Sequence, residues 1–223
     1  MVNGKVAQLG QKIDPCKDNI AVLGKAVPKH VPEKLTLVMH KPKGVICSNS
    51  DEYHQGKTVF DLLPRRYQHK RLFCVGRLDK DTEGLLLLTN DGDLANKIMH
   101  PSSGIVKRYQ VTLNKPLDPK KIPLFIKGVK DEGEHLCAKE VIPATMGVDK
   151  EKRMVMHLVQ GRKREIRRLC ECLGYFVKKL KRVQIGQFAM KSLGPGETRE
   201  LTERELKLIV SRETSKGTNR SKR

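Results

Sequence analysis

The sequence predicts an α+β fold with a mixed, mostly antiparallel sheet flanked by helices. Segments with strand and helix patterns interleave along the chain without the strict βαβ order of a parallel sheet. The 223 residues, 38% of them hydrophobic, can build one good-sized core and an appendage. Changes in composition divide the chain into a β fragment at 1–27, a linker at 28–34, a main domain at 35–211 and a disordered basic tail at 212–223.

The N-terminal fragment is predicted to contain a hairpin turn. Asn3-Gly4 stands between valine-bearing segments, and this dipeptide accepts the positive φ angles that such a turn demands. A fragment of this size is too small to bury a core by itself. The polar, proline-spaced segment PKHVPEK that follows it is typical of a linker.

Several segments of the main domain have strand patterns. Residues 35–41 form an apolar run before a Pro-Lys-Gly turn, and 84–89 form a leucine-rich run that ends at the turn NDGD. Residues 105–113 and 154–159 alternate apolar and polar side chains, as a half-buried strand does. The leucine run is predicted to be a buried strand that fixes the loop before it.

Helices are predicted from spacing and end signals. Residues 93–100 begin with an aspartate cap and stop before a proline. Residues 165–173 carry apolar side chains on one helical face, and Gly174 stands where a left-handed C-terminal cap belongs. The last helix begins after Leu201, where Thr202 and Glu205 have the spacing of a capping box.

The charge of the chain indicates a polyanionic partner. Lysine and arginine number 45 against 25 aspartate and glutamate residues, a formal net charge of +20. Nucleic acid is the first candidate and an acidic membrane surface the second. Bases outnumber acids nine to two between residues 162 and 182, and phosphate contact there is favoured over a merely solvated face. Tryptophan is absent and aromatic residues are few, which favours a folded RNA or a duplex backbone over extended single strands.

The sequence contains no pattern typical of a membrane or metal protein. No apolar run is long enough to span a bilayer and no signal-peptide core opens the chain, so a soluble, cytosolic protein is expected. The six cysteines lack metal-site spacing and are read as buried free thiols. No phosphate-binding glycine loop is present.

Two carboxylates stand out in the stretch GRLDKDTEGLLLLTNDGDL, at Asp79 and Asp81. An acid–base pair is discounted, because side chains two residues apart share a face only in extended backbone. One carboxylate that stays ionised beside a guanidinium can act as a nucleophile, and Arg77 is adjacent. The alternative is an aspartate that caps a turn, and composition alone leaves both possibilities open.

Four sequence blocks resemble the motifs of bacterial rRNA pseudouridine synthases of the RsuA type, the group that includes RluB, RluE and RluF. The blocks are MHKPKGVICS, GRLDKDTEGLLLLTNDGDLANKI, KRYQVTL and VQGRKREIRRLCECLGYFVKKLKRVQIG. They lie between residues 39 and 186, and the resemblance around them extends over residues 36 to about 210. The likeness is greatest to the large-subunit branch of RluB and RluF. It implies the pseudouridine synthase fold, isomerisation of uridine in rRNA, with 23S rRNA as the expected target, and no need for metal or cofactor.

The resemblance also assigns roles to individual residues. Asp79 would be the catalytic nucleophile and Arg77 would help to displace the flipped uridine. Tyr109 would stack on the target base, and Arg167 would pair with the catalytic carboxylate. Asp81 is left with a structural role, and the glycines of the stretch are expected to let the backbone approach the nucleotide.

The residues expected to contact RNA lie in the first motif and in the basic cluster. They are Lys41, Lys43, Arg162, Lys163, Arg164, Arg168, Lys181 and Arg182. The expected partner is ribosomal RNA, as free RNA or as an assembly intermediate. A monomer is the default state, and no membrane contact is expected.

Two features depart from the family pattern. Residues 1–27 look like the end of an S4 RNA-binding domain without its two basic helices, which places more of the RNA grip on 162–182. Glu165 stands where relatives often have glutamine, a change that would weaken a polar contact in the pocket. The alternative functions are a non-catalytic RNA-binding or ribosome-assembly protein that keeps the fold, and a nucleosidase that releases free uracil.

Overall fold

A computed structural model describes residues 1–14, 17–27, 33–48 and 56–211. The chain forms two compact units, Met1–Lys34 and Leu35–Arg223. Most of the predicted linker, at 28–32, and the predicted basic tail at 212–223 lie outside the described residues.

The first unit contains short antiparallel pairings. Val2 and Lys5 form a bridge across a turn in which Asn3 has a φ of 50° and Gly4 a φ of 80°, so the predicted hairpin turn is confirmed. Further along, β1 (Ala21–Val22) pairs with β2 (Lys25–Ala26). Almost every described side chain of this unit is partly or fully exposed, in keeping with the small core expected of it.

The second unit is built on a large mixed sheet. Its strands, with the separate pair β7–β8, are β3 (Thr36–Lys41), β4 (Phe73–Cys74), β5 (Glu83–Thr89), β6 (Lys107–Leu113), β7 (Val129–Asp131), β8 (Glu134–Leu136), β9 (Glu140–Pro143), β10 (Arg153–Leu158), β11 (Val177–Ile185), β12 (Phe188–Ala189) and β13 (Thr198–Glu200). The order across the sheet is β13-β3-β5-β11-β6-β10-β9, with β4 beside β5 and β12 beside β11. Strands β5 and β11 pair parallel, whereas the other neighbours pair antiparallel. The predicted mixed, mostly antiparallel sheet is confirmed.

The helices flank the sheet, and α2, α4 and α5 of the following five lie where the sequence predicts a helix. They are α1 (Arg65–Gln68), α2 (Gly92–Met99), α3 (Ile122–Lys127), α4 (Glu165–Cys172) and α5 (Glu203–Val210). The side chain of Asp91 caps α2, two residues before the predicted aspartate, and the capping box of Thr202 and Glu205 is present at α5. Gly174 follows α4 with a φ of 81°. The predicted C-terminal cap and capping box are therefore confirmed. Each depends on residues only a few positions apart, so it can be predicted from the sequence.

The leucine run forms the central strand β5, which is covered on both faces. Leu86 and Leu88 pack with residues of β3 on one face, while Leu85 and Leu87 pack with α2 and α5 on the other. All four side chains are fully buried. This strand therefore provides a rigid base for the loop that precedes it, as predicted.

Gly84 is needed for the contact between β5 and its parallel neighbour. A Cβ atom at Gly84 would lie 2.2 Å from the carbonyl oxygen of Arg182, and the φ of Gly84 is +111°. The expectation that this glycine gives a nucleotide access to the backbone is therefore corrected. It gives access to the neighbouring strand β11.

Two composition-based expectations can be compared with the described residues. The cysteines in the described ranges are free thiols, but Cys170 is buried whereas Cys172 is exposed, and Cys16 lies outside those ranges. Every helix in the same ranges is too short or too polar to cross a bilayer.

Candidate active site

A pocket of about 390 Å³ opens beside the loop that joins β4 to β5. Its walls come from this loop, from β6, from the N-terminal end of α4 and from β11. The residues with predicted catalytic roles, Arg77, Asp79, Tyr109 and Arg167, all line it. The structure thus brings together side chains that are up to 90 positions apart in sequence (167 minus 77).

Lys41 fixes the loop that carries Asp79 through hydrogen bonds from its ammonium group. The Lys41 side chain is fully buried, and its Nζ donates to the carbonyl oxygens of Thr82 at 2.8 Å, Pro42 at 3.0 Å and Lys80 at 3.4 Å. Burial lowers the pKa of Lys41, while the carboxylates of the loop favour its charged form. The expectation that Lys41 contacts RNA is corrected, because its ammonium is buried and already bonded to the loop.

Asp79 and Asp81 have different surroundings. Asp79 is half-buried and lines the pocket, whereas Asp81 is exposed and does not line it. The Asp79 carbonyl accepts a hydrogen bond from the Thr82 N–H at 3.0 Å, which closes a tight turn. Of these two aspartates, only Asp79 therefore faces the pocket.

Arg167 joins the loop to the edge of β11. Its guanidinium donates to the carbonyl oxygens of Asp81 at 3.1 Å and Val177 at 3.2 Å. Burial lowers the pKa of Arg167, and attraction by Asp79 and Asp81 opposes that effect. Among the ion pairs between described residues, none joins Arg167 to Asp79, so the direct pairing implied by the resemblance is not present. Arg167 instead fixes the backbone of the loop.

Tyr109 and Arg182 face each other on neighbouring strands. They are register partners of β6 and β11, and the Arg182 Nη1 lies 3.5 Å from the tyrosine hydroxyl. Arg182 is only 2% exposed, and its Nε donates to the carbonyl oxygen of Leu85 at 2.7 Å. The expected RNA contact of Arg182 stays a prediction, but the buried side chain limits such a contact to a nucleotide that enters the pocket.

Lys107 and Glu165 form a further polar part of the wall. Glu165 is buried, and its Oε2 accepts from the Arg162 N–H at 3.1 Å. Burial raises the pKa of Glu165 and lowers the pKa of Lys107 to about 8, with repulsion by Arg182 adding to the latter. Sequence reasoning did not single out Lys107. The available signal was its position two residues before Tyr109 in an alternating strand, which places both side chains on one face.

The other residues expected to contact RNA fall into different groups. Lys43, Lys163 and Arg164 are exposed, and Lys163 and Arg164 also line the pocket. Lys181 points away from the pocket and, with Gln110, lines a second pocket on the other face of the sheet.

Arg162 and Arg168 reach the hairpin β7–β8. Arg168 forms ion pairs with Asp131 at 2.5 Å and Glu134 at 2.6 Å, while Arg162 lies 3.5 Å from Glu134. The expectation of a free, RNA-facing Arg168 is corrected, because acids from this hairpin already neutralise it.

The sequence and the structure both match known proteins. The family pattern described as RNA pseudouridylate synthase matches residues 35–172. Dual-specificity RNA pseudouridine synthase RluF of Shigella flexneri is 36% identical over 208 residues, covering 92% of this chain and 67% of the relative. Ribosomal large subunit pseudouridine synthase B of Pseudomonas aeruginosa is 36% identical over 213 residues, covering 93% and 54% respectively. The chain thus spans about half to two thirds of the length of such relatives.

A crystal structure of a pseudouridylate synthase superposes with a TM-score of 0.72 at 28% identity, covering 94% of this chain and 87% of the other. The fold expected from the resemblance is confirmed.

Proposed function

Because the chain belongs to the RNA pseudouridylate synthase family, we propose that it converts uridine to pseudouridine in ribosomal RNA. The observation that carries this proposal is the placement of Asp79 in the pocket together with Tyr109, Arg77 and Arg167. A non-catalytic RNA-binding protein would have no need for this arrangement. The position of Asp79 on a loop fixed by Lys41 supports its role as the catalytic carboxylate.

The reaction needs one carboxylate and a base removed from its stack. Flipping the uridine costs about a few kcal/mol, and a ring that stacks on the flipped base repays part of that cost. Tyr109 supplies the ring. Arg77 is exposed at the rim of the pocket, where it can enter the space that the base vacates.

The reaction is balanced without any co-reactant. The C1′–N1 bond breaks, a C1′–C5 bond forms, one proton leaves C5 and another is taken up at N1. Asp79 can open this path by attack on the base, by attack on the sugar or by removing a proton from the sugar. Arg167 assists each route in the same way, because it holds the backbone of the loop that presents Asp79.

We extend the proposal to 23S rRNA, as free RNA or as an assembly intermediate, and to a monomer that acts in the cytoplasm. The name of the Pseudomonas relative, ribosomal large subunit pseudouridine synthase B, supports the large-subunit target. The exposed bases Lys43, Lys163 and Arg164 and the net charge of +20 support a grip on the phosphate backbone. Residues 1–27 would be the end of an S4-like domain.

Pseudouridine mapping of rRNA from cells with and without the gene tests the proposal. Loss of one or a few pseudouridines on deletion, restored by the wild-type gene, is the expected result. An unchanged modification map would contradict a site-specific synthase and favour the non-catalytic RNA-binding alternative. Release of free uracil from RNA without pseudouridine would indicate a nucleosidase.

A further inference from the structure

The wall of the pocket contains a buried positive charge without a countercharge. Arg182 is 2% exposed, and none of the ion pairs between described residues involves it. An arginine side chain carries a permanent positive charge in proteins. A buried charge is costly unless it is paired or solvated. The fold therefore holds this charge in the wall of a pocket that a substrate can enter.

The hydrogen bonds of Arg182 leave one of its donor groups unused. Nε donates to the Leu85 carbonyl at 2.7 Å and Nη1 makes a long contact of 3.5 Å with the Tyr109 hydroxyl. Nη2 is buried and has no partner among the described residues. The side chain is thus oriented by the buried strand β5, and Arg182 lines the pocket together with Tyr109.

The proposed reaction creates negative charge on the base whichever route Asp79 follows. Attack on the ring of the base sends the electron pair toward a carbonyl oxygen. Attack on the sugar, or removal of a sugar proton, breaks the C1′–N1 bond and leaves the pair on the departing uracil. Attack on the ring places the charge on C5 and O4, whereas cleavage of the C1′–N1 bond spreads it over N1, O2 and O4. In each case a carbonyl oxygen carries part of the charge, which a fixed donor stabilises.

We propose that Arg182 is a further catalytic residue, which donates an Nη2 N–H to a carbonyl oxygen of the flipped uracil and stabilises the anion as the C1′–N1 bond breaks. This inference rests on the proposed function. A base stacked on Tyr109 would lie beside the guanidinium, because Tyr109 and Arg182 are register partners on adjacent strands. The electron pair returns to form the C1′–C5 bond, so Arg182 itself is unchanged at the end.

Lys107 is the less suitable donor in the same wall. Its Nζ already has the Val159 carbonyl as acceptor at 3.3 Å. Burial lowers the pKa of Lys107, so its ammonium loses its charge at a lower pH than a guanidinium does. Arg182 carries both the permanent charge and the unused donor.

Single-turnover pseudouridine formation with Arg182→Ala, with and without added methylguanidinium, tests the inference. Removing one donor to a developing oxyanion lowers the rate by about 10²–10³-fold, and we expect that loss with RNA affinity changed less than about threefold. Methylguanidinium should restore the rate at least about tenfold, whereas methylurea, which has the same shape and no charge, should not. Arg204 is an exposed arginine on α5, and Arg204→Ala should form pseudouridine at the wild-type rate with or without either additive.

The outcomes separate a chemical role from a structural one. Equal rescue by methylguanidinium and methylurea would show a packing role and overturn the inference, as would an Arg182→Ala rate within about threefold of wild type. If circular dichroism shows that Arg182→Ala does not fold, Arg182→Lys and Arg182→Met decide. The charged variant should react at least about tenfold faster, and equal rates would overturn the inference. A wild-type protein that forms no pseudouridine refutes the proposed function instead.

Discussion

Replacing Lys41 with methionine separates its role in holding the loop from the RNA contact that its position in the sequence suggests. The Lys41 Nζ donates to the carbonyl oxygens of Thr82 at 2.8 Å and Pro42 at 3.0 Å. A hydrogen bond from a charged donor contributes about 1.5–3 kcal/mol, so the two together contribute about 3–6 kcal/mol. The third contact, at 3.4 Å to Lys80, is at the limit of a hydrogen bond and adds little.

Part of this contribution is offset by the burial of the ammonium. Burial lowers the pKa of Lys41, which shows that the charged form is held at a cost that methionine does not have. We expect Lys41→Met to lower the free energy of unfolding by about 2–4 kcal/mol, measured by urea denaturation near neutral pH. Pseudouridine formation should fall as well, because the turn that presents Asp79 loses its support.

RNA binding at several salt concentrations provides the control. Lys41→Met should leave the slope of log affinity against log salt unchanged, since a buried ammonium neutralises no phosphate. Lys43→Met, an exposed neighbour, should leave stability unchanged and, if Lys43 contacts a phosphate, reduce the slope by about 0.9. A Lys41→Met protein with wild-type stability and a reduced salt slope would refute the reasoning.

Further substitutions test other parts of the structure. Gly84→Ala places a Cβ 2.2 Å from the backbone of β11 at a φ of +111°. This variant should lose more than about 3 kcal/mol of unfolding free energy, measured by urea denaturation. Gly92→Ala, whose Cβ has no atom within 4 Å, should have nearly wild-type stability. The hydrogen bond from Arg199 lowers the pKa of Glu205 to about 2, so its stabilisation is complete above the unfolded pKa and is lost as pH falls toward 2. The melting temperatures of wild type and Glu205→Gln should therefore converge in acid, and a constant gap would contradict this. Burial lowers the pKa of Lys107 from 10.5 to about 8, so between these pH values the unfolded chain binds more protons than the folded one. The free energy of unfolding of the wild type should therefore rise with pH relative to that of Lys107→Met. Parallel pH profiles of the two proteins would contradict this prediction.

Local signals and one long motif made much of the site predictable. The hairpin turn, the helix caps and the buried leucine strand depend on residues close together in sequence, and all are present. The motif around Asp79 and the alternation around Tyr109 placed both on elements that meet at one pocket. Spacing in the sequence could not show which atoms the nearby lysine and arginine side chains contact.

The basic residues show why that information was missing. Lys41, Arg168 and Arg182 were all expected to contact RNA, because a sequence shows where the charges are but not which groups surround them. The acids that neutralise Arg168 lie 34 and 37 positions away, on a hairpin brought to α4 only by the tertiary fold. Arg182 is turned inward by the alternation of β11, where its register with Tyr109 depends on a bulge that no local pattern reveals.

The central claim is that one carboxylate, Asp79, performs the chemistry. Single-turnover pseudouridine formation by Asp79→Asn, beside Asp81→Asn as the matched control, tests it most directly. We expect Asp79→Asn to lose at least about 10⁴-fold in rate with folding and RNA affinity retained, while the exposed Asp81→Asn stays within about threefold of wild type. Pseudouridine formed by Asp79→Asn at a rate within about tenfold of wild type would contradict the claim.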